Sequence, residues 1–374
     1  MKRLGNIYDK IRDMDNLILA HKNARRDKKH YRAVKKFDKN PEKYLKEIQD
    51  LLKNEKYELK PSDYTVSSII DKWKERKLYK TKYPHRVVQW AILQQINTWF
   101  NQVFCFHTCA SIKWRWVQRA YNLMRKYLKN KEYKYCLKID ISKFYPNVNK
   151  EILKRLLRRK FKDKRLLRLL DIIVDSFPEE RWIPIWSYLS QYFWNFYLSY
   201  FDHFMKEELG IKCCVRYMDD VVVLWKTKEE LWWYLEKMRG YLTSELDLKI
   251  KDNYQIFPIE DRWIDFIWFR FFFRYTLLRK RIVKRIKKTV NSVINRWLNW
   301  KNQTFNLWCS INSYLGWMSL CDSFRFYKKH FLPLQLILWE YYMKTILWNV
   351  RSKKNINRTK KYMQTFVQRQ YLHK

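Results

Sequence analysis

The chain has 374 residues, long enough for a sizeable core and for two or three domains. Lys and Arg number 79 against 37 Asp and Glu, a formal net charge of +42 spread along the whole length, which implies a polyanionic partner, nucleic acid before an anionic membrane surface. No run of about 18 or more uncharged apolar residues occurs, and Met1-Lys2-Arg3-Leu4-Gly5-Asn6 lacks the apolar core of a signal peptide, so the expectation is a cytoplasmic protein with no membrane partner.

Residues 1 to about 60 read as a basic helical extension, with the apolar positions of Tyr44-Leu45-Lys46-Glu47-Ile48-Gln49-Asp50-Leu51-Leu52 on one helical face. Pro61-Ser62-Asp63-Tyr64 breaks that pattern, and a cationic run follows in Lys72-Trp73-Lys74-Glu75-Arg76-Lys77-Leu78. Residues 86–96 predict a buried amphipathic helix, residues 111–117 a basic connector, and residues 118–129 a second helix. Seven Cys in such a chain read as reduced thiols. Cys105-Phe106-His107-Thr108-Cys109 lacks a second ligand pair at zinc spacing, and Cys213-Cys214 are strand neighbours, so neither is read as a metal site.

Tyr133-Lys134-Tyr135-Cys136-Leu137-Lys138-Ile139 alternates as a half-buried strand does and delivers Asp140 at its end. A basic helix over residues 150–170 and another over about 187–208 are expected next. They precede Cys213-Cys214-Val215-Arg216-Tyr217-Met218-Asp219-Asp220-Val221-Val222-Val223-Leu224, which reads as two strands of a hairpin with Asp219 and Asp220 at its tip. Adjacent carboxylates repel, and rigid strands hold them together to most purpose where a hard cation takes oxygen ligands; the alternative is a solvated turn. Asp140 on one strand and two acids on a hairpin supply the ligands that two-metal nucleotidyl transfer requires, one ion activating a 3′-hydroxyl and both stabilising charge at phosphorus. A β-type segment over residues 264–271 and a helical region after Thr276 complete the pattern. In that last region cationic and aromatic residues interleave, as phosphate contact and base stacking need, although a charge run also suits a solvated helix face.

Val215-Arg216-Tyr217-Met218-Asp219-Asp220 resembles the YxDD box of reverse transcriptases, and Asp140-Ile141-Ser142-Lys143-Phe144-Tyr145-Pro146-Asn147 resembles the preceding aspartate motif of the bacterial, group II intron-like and retron branch. Residues 72–76, 111–116 and 264–269 are similar to the two fingers motifs and the primer-grip segment, so the resemblance covers about residues 60–330. It implies an α+β right-hand polymerase, with a fingers and palm domain at 61–275 (an antiparallel sheet backed by helices) and a helical thumb with a basic tail at 276–374. Ile185-Trp186-Ser187-Tyr188-Leu189-Ser190-Gln191, where most members carry Gln-Gly, three residues and Ser-Pro, is similar to the enzymes of diversity-generating retroelements. Tyr314-Leu315-Gly316-Trp317-Met318 with Cys321-Asp322-Ser323 fits the same group. A retron-type enzyme is the alternative within the branch, and a catalytically inactive RNA-binding scaffold the alternative outside it.

The resemblance implies that Asp140, Asp219 and Asp220, with the Ile141 carbonyl, bind two Mg²⁺ ions. Tyr145 would lie under the sugar and exclude a 2′-hydroxyl, and Gln191 would lie near the incoming nucleotide and template base. Lys74, Arg76, Lys113 and Arg115 are candidates for triphosphate contact or for general phosphate-facing charge. Lys251 is a candidate proton donor to pyrophosphate, although its surroundings depart from the usual lysine-threonine ending. The implied partners are a template RNA, a DNA or RNA primer, deoxynucleoside triphosphates and a small basic accessory protein. The implied product is cDNA with errors at template adenines.

Gly numbers four, about 1% where roughly 7% is usual, and Trp numbers 19. Trp114, Trp116, Trp182, Trp186 and Trp268 stand where the family has Gly, and Trp73, Trp194, Trp225 and Trp263 are further candidates. Gly serves where φ is positive or a backbone must approach closely, and an indole fits neither need. One repeated replacement points to a codon written as Trp that the source organism reads as Gly; UGA carries both meanings in different bacterial lineages. The alternative is a genuine Trp-rich variant.

Overall fold

A computed structural model describes residues 3–71, 74–177, 179, 181, 188–298 and 305–331. The chain divides into two compact units, residues 1–120 with 137–256, and residues 121–136 with 257–374.

The first unit opens with α1 (Tyr8–Ile11), α2 (Met14–Ala24), α3 (Arg32–Lys39) and α4 (Pro41–Lys53). Asp13 caps α2 by accepting from the Asp15 and Asn16 amides, and Pro41 starts α4, where its missing N–H costs nothing. Leu45, Ile48 and Leu52 form the buried stripe of α4 that the periodicity predicts. α2 packs on α5 (Tyr83–Val103) around the buried Asn16, whose amide donates to the Ile11 and Ala91 carbonyls and whose oxygen accepts from Gln94 and Gln95 at 2.8 and 2.7 Å. These helices are thereby built into the same unit as α5.

Between them, β1 (Tyr64–Asp71) and β2 (Lys74–Thr81) pair antiparallel from Tyr64↔Thr81 to Asp71↔Lys74. The cationic run read from the sequence is one arm of this hairpin; Thr65, Val66, Ile69 and Ile70 supply the β-branched residues of the other. After β3 (Thr108–Cys109) the chain leaves the unit along α6 (Val117–Leu128) and returns along β4 (Tyr135–Asp140). β5 (Cys214–Tyr217) and β6 (Asp220–Trp225) follow, then β7 (Gln255–Pro258), and the sheet order is β3-β5-β6-β4-β7. Val215 and the run Val221 to Leu224 are fully buried, so β5 and β6 are the covered strands that their unbroken apolar stretches predict.

The helix expected over 150–170 is two helices, α8 (Lys150–Lys160) and α9 (Lys164–Asp175). Asp163 ends the continuity, because it caps α9 through the Leu166 amide while its other oxygen accepts from the Ile7 and Tyr8 amides. The helix expected from 187 is α10 (Tyr188–Tyr197) followed by α11 (Ser199–His203) and a wider π turn over Phe204–Glu208. α12 (Lys228–Leu246) packs on β6.

Phe100 of α5 sits at the centre of the core, its ring 5.0–6.4 Å from those of Phe104, Phe161, Tyr192, Phe193 and Phe196. Phe100→Ala is expected to cost about 3–5 kcal/mol, read as a lower midpoint of urea unfolding at an unchanged slope.

In the second unit, β8 (Ile264–Phe266), β9 (Phe269–Phe271) and β10 (Thr276–Leu278) form an antiparallel sheet in the order β10-β9-β8. Phe269 and Phe271 lie 5.0 and 5.4 Å from the ring of Tyr121. α13 (Lys280–Leu298) buries Ile282, Ile286, Val290 and Val293 and turns its Lys and Arg residues outward. α14 (Phe305–Met318) and α15 (Phe324–His330) follow, and Asp322 between them accepts from the Thr276 amide at 2.8 Å. Among the described residues no helix is long and apolar enough to cross a membrane. All seven Cys are free thiols, Cys309 exposed and the others buried.

Candidate active site

Tyr217 pairs with Asp220, so the β5–β6 hairpin closes on the two residues Met218 and Asp219. A two-residue turn matches the twist of its strands only with a positive φ at its first central position, and Met218 takes it at 58°. Asp219 therefore stands in the turn itself and Asp220 opens β6. Asp140 ends β4, the neighbour of β6, and the Ile141 amide donates to the Asp219 carbonyl at 3.1 Å. The strand-end acid and the hairpin acids, about 80 residues apart in sequence, are thereby joined through the backbone.

A second pairing adds a cation. Ile141 bridges antiparallel to Ile250, with the Lys251 amide donating to the Asp140 carbonyl at 2.9 Å and the Ser142 amide to the Lys249 carbonyl at 2.7 Å. This register brings the Lys251 ammonium onto the Asp140 carboxylate. Lys138, two residues before Asp140 and so on the same face of β4, lies 3.8 Å from Asp220. Burial raises the Asp219 carboxyl above its ordinary range, the charge of Asp140 raises it further, and Lys251 and Arg216 partly oppose both. Two like charges are thus held together by the fold.

Among the described residues no group of three or more His, Cys, Asp or Glu side chains is placed to hold a metal ion by itself. The donors that converge are the Asp140 and Asp219 carboxylates beside the Ile141 backbone. All are hard oxygens, and Mg²⁺ is commonly held by one or two carboxylates plus substrate phosphates and water, so the set fits that ion.

Tyr145 lies on the short helix α7 (Phe144–Asn147), entered through Lys143 at a φ of 42° and tied back by the Asn147 side chain, whose Nδ2 donates to the Ser142 carbonyl at 3.1 Å. Its ring rests 4.4 Å from that of Trp194, which is buried in α10. Gln191 is half-buried one turn earlier on the same helix. Lys113 is exposed, its ammonium 5.5 Å from the Trp114 ring. Arg115 instead anchors its own loop, donating to the Phe104 and Cys105 carbonyls at 3.1 and 2.7 Å. Lys74 and Arg76 are on β2, and their side chains lie outside the described residues, as do residues 182–187 and Trp73.

The backbone takes the left-handed conformation at one of the Trp positions and at the residue before another. Trp114 has a φ of 67° and is 74% exposed, so its cost is conformational rather than one of overpacking. Phe266 pairs with Phe269, leaving Ile267 and Trp268 as the turn between β8 and β9, and the β-branched Ile267 carries a φ of 59°. Both belong to the conformation that glycine adopts freely. Trp194, in a helix interior, has no such feature.

Sequence alone assigns no site role to Lys138, to Trp194, which counts only as a possible glycine position, or to a buried cluster around Arg216. The available signal for the last was an arginine inside an apolar strand, since a charge there needs a buried partner.

A strongly basic chain whose sheet gathers repelling carboxylates, with lysines beside them, has the charge and the oxygen donors that nucleotidyl transfer on nucleic acid needs. Residues 70–253 match the family described as reverse transcriptase (RNA-dependent DNA polymerase). The chain carries a reverse transcriptase domain and is an RNA-directed DNA polymerase, which uses a nucleic-acid template and deoxynucleoside triphosphates. No curated protein matches it.

Proposed function

We propose that this enzyme copies a template RNA into cDNA with errors at template adenines, as part of a diversity-generating retroelement, and that it does so as a right-hand polymerase. In this reading residues 61–275 are fingers and palm, residues 276–374 are thumb and basic tail, and residues 1–60 are an extension. The observation that carries the active centre is the junction of Asp140 and Asp219 through the Ile141 amide. Asp140, Asp219 and Asp220 with the Ile141 carbonyl would hold two Mg²⁺, which supply activation of the primer hydroxyl and stabilisation of charge at phosphorus. The chain's own residues set that centre up. Lys138 and Lys251 offset carboxylate repulsion, and Lys251 is the candidate proton donor to pyrophosphate. Lys74, Arg76 and Lys113 are the candidate cations for the triphosphate, while Arg115 holds its own loop. The retroelement assignment rests on residues 185–191, of which Gln191 shares α10 with the residue that braces Tyr145. A small basic accessory protein belongs to the same assignment.

The test is magnesium-dependent primer extension on an adenine-containing RNA template, with the products sequenced. Misincorporation opposite adenine supports the retroelement reading, and accurate copying a retron-like one. RNA binding without synthesis supports an inactive scaffold.

The sugar gate is checked separately. Tyr145→Ala should raise ribonucleotide incorporation relative to deoxyribonucleotide by about 10-fold or more, because the ring that would exclude a 2′-hydroxyl is gone. Unchanged discrimination in a steady-state competition assay would remove Tyr145 from that role.

A further inference from the structure

Beneath the catalytic turn four elements contribute to one buried polar cluster. Arg216 of β5 and Asp202 of α11 are fully buried and meet in a two-pronged pair, Nε donating to Oδ1 at 2.7 Å and Nη2 to Oδ2 at 2.6 Å. Thr108 of β3 donates to Asp202 Oδ2 at 2.6 Å, and His107 Nε2 lies 3.7 Å from Oδ1. The remaining guanidinium nitrogen, Nη1, donates to Asn195 Oδ1 at 3.3 Å and to the Met218 carbonyl at 2.9 Å. Asn195 in turn donates to the Ala110 carbonyl at 3.0 Å. Against the upward pull of burial, the Arg216 charge holds the Asp202 carboxyl well below the usual carboxylate range.

Stability alone does not account for this pair, because a buried ion pair is often matched or exceeded by apolar residues of the same volume. What an apolar pair lacks is a donor for the Met218 carbonyl. Met218 is held in the left-handed region with no glycine to ease it, a conformation that persists only where its surroundings over-determine it. The next residue is Asp219.

We propose that Arg216 is a positioning residue: by gripping the Met218 carbonyl it fixes the peptide that carries Asp219, and so sets the spacing between the Asp219 and Asp140 carboxylates. Asp202 fixes the guanidinium so that its third prong faces the turn, and Asn195 links the same prong to α10. The inference rests on the reading of Asp140 and Asp219 as the metal-binding acids.

The experiment uses the full chain and compares the parent protein with Asp202→Leu/Arg216→Met, Arg216→Lys and Asp202→Asn. Each is followed by circular dichroism, thermal melting, template–primer binding, and primer extension as functions of magnesium and of deoxynucleotide concentration. The double variant leaves no buried charge unpaired and is expected to fold and to bind template–primer. Its half-saturating magnesium should rise, and its kcat fall, by about 10-fold to 100-fold, the range for residues that orient metal ligands, with the nucleotide KM little changed. Arg216→Lys keeps a cation beside Asp202 without the fork and guards against loss of fold in the double variant; it too should raise the magnesium requirement. Asp202→Asn leaves the guanidinium one acceptor oxygen in place of two, so it should melt lower and raise the magnesium requirement by less than the double variant does. A folded double or Arg216→Lys variant with parental magnesium dependence and kcat overturns the proposal, as does an Asp202→Asn shift as large as that of the double variant. If Asp219→Asn itself leaves synthesis intact, it is the carboxylate reading that fails.

Discussion

Asp219→Asn is expected to abolish primer extension at saturating magnesium, a loss of about 10³-fold or more, while template binding persists. The magnitude follows from losing a charged ligand where the ion supplies several kcal/mol of transition-state stabilisation, each 1.36 kcal/mol being about a factor of ten. Persistence of binding follows from the +42 charge, which one neutral replacement hardly changes. The same variant should be more stable than the parent in metal-free buffer. Burial and the Asp140 charge make the Asp219 carboxyl hold its proton more tightly in the folded chain than in the unfolded one. Its ionised form therefore opposes folding, and stability falls as pH rises through the folded-state titration. The advantage of Asn should be full above that titration and vanish as pH drops below the unfolded carboxyl value of about 4. Parallel extension assays and melts in chelator across pH check both halves, and a variant that is inactive but less stable at neutral pH would contradict the electrostatic account.

Glycine at Trp114, Trp116, Trp182, Trp186 and Trp268 is the second large effect. Relief at Trp114 is worth about 1 kcal/mol or more, since a bulky residue there sits in the left-handed region at a φ of 67°. Glycine at 268 lets the β8–β9 turn redistribute its strain away from Ile267, with a similar gain. Together these positions are expected to raise the melting temperature by several degrees and to increase primer extension. Comparing melts and extension of the Trp and Gly chains tests this, with no gain in either counting against it. The gene gives an independent check: UGA is expected at Trp114, Trp182, Trp186 and Trp268 and UGG at Trp317, whereas UGG throughout would establish a genuine Trp-rich chain.

How much of this could be read beforehand depends on how local each cause is. Asp140 at a strand end and Asp219 in a hairpin turn were legible because β-branched alternation and an unbroken apolar run lie directly beside them. The contact of Lys251 with Asp140 was not, because it depends on the register Ile141↔Ile250, set by pairing across more than a hundred residues. Arg216 stood out as a charge inside an apolar strand, yet nothing local named Asp202 as its partner. The β1–β2 hairpin was hidden because Lys74-Glu75-Arg76-Lys77 reads as a solvated face whatever its backbone does. The break between α8 and α9 had its signal in Asp163, a good cap set within a continuing apolar period, which the periodicity outweighed.

The interrupted course of the first unit bears on how the protein is made. Residues 121–136 leave the ribosome ahead of most of the five-stranded sheet, but the residues they are grouped with begin only at 257, about 120 residues later. At typical elongation speeds of roughly 5–20 residues per second, Tyr121 waits about 7–30 seconds for Phe269 and Phe271 to reach it. During that interval the strand that ends in Asp140 is tethered to an unfinished neighbour, so codon usage between 137 and 257 becomes a lever on the yield of active enzyme.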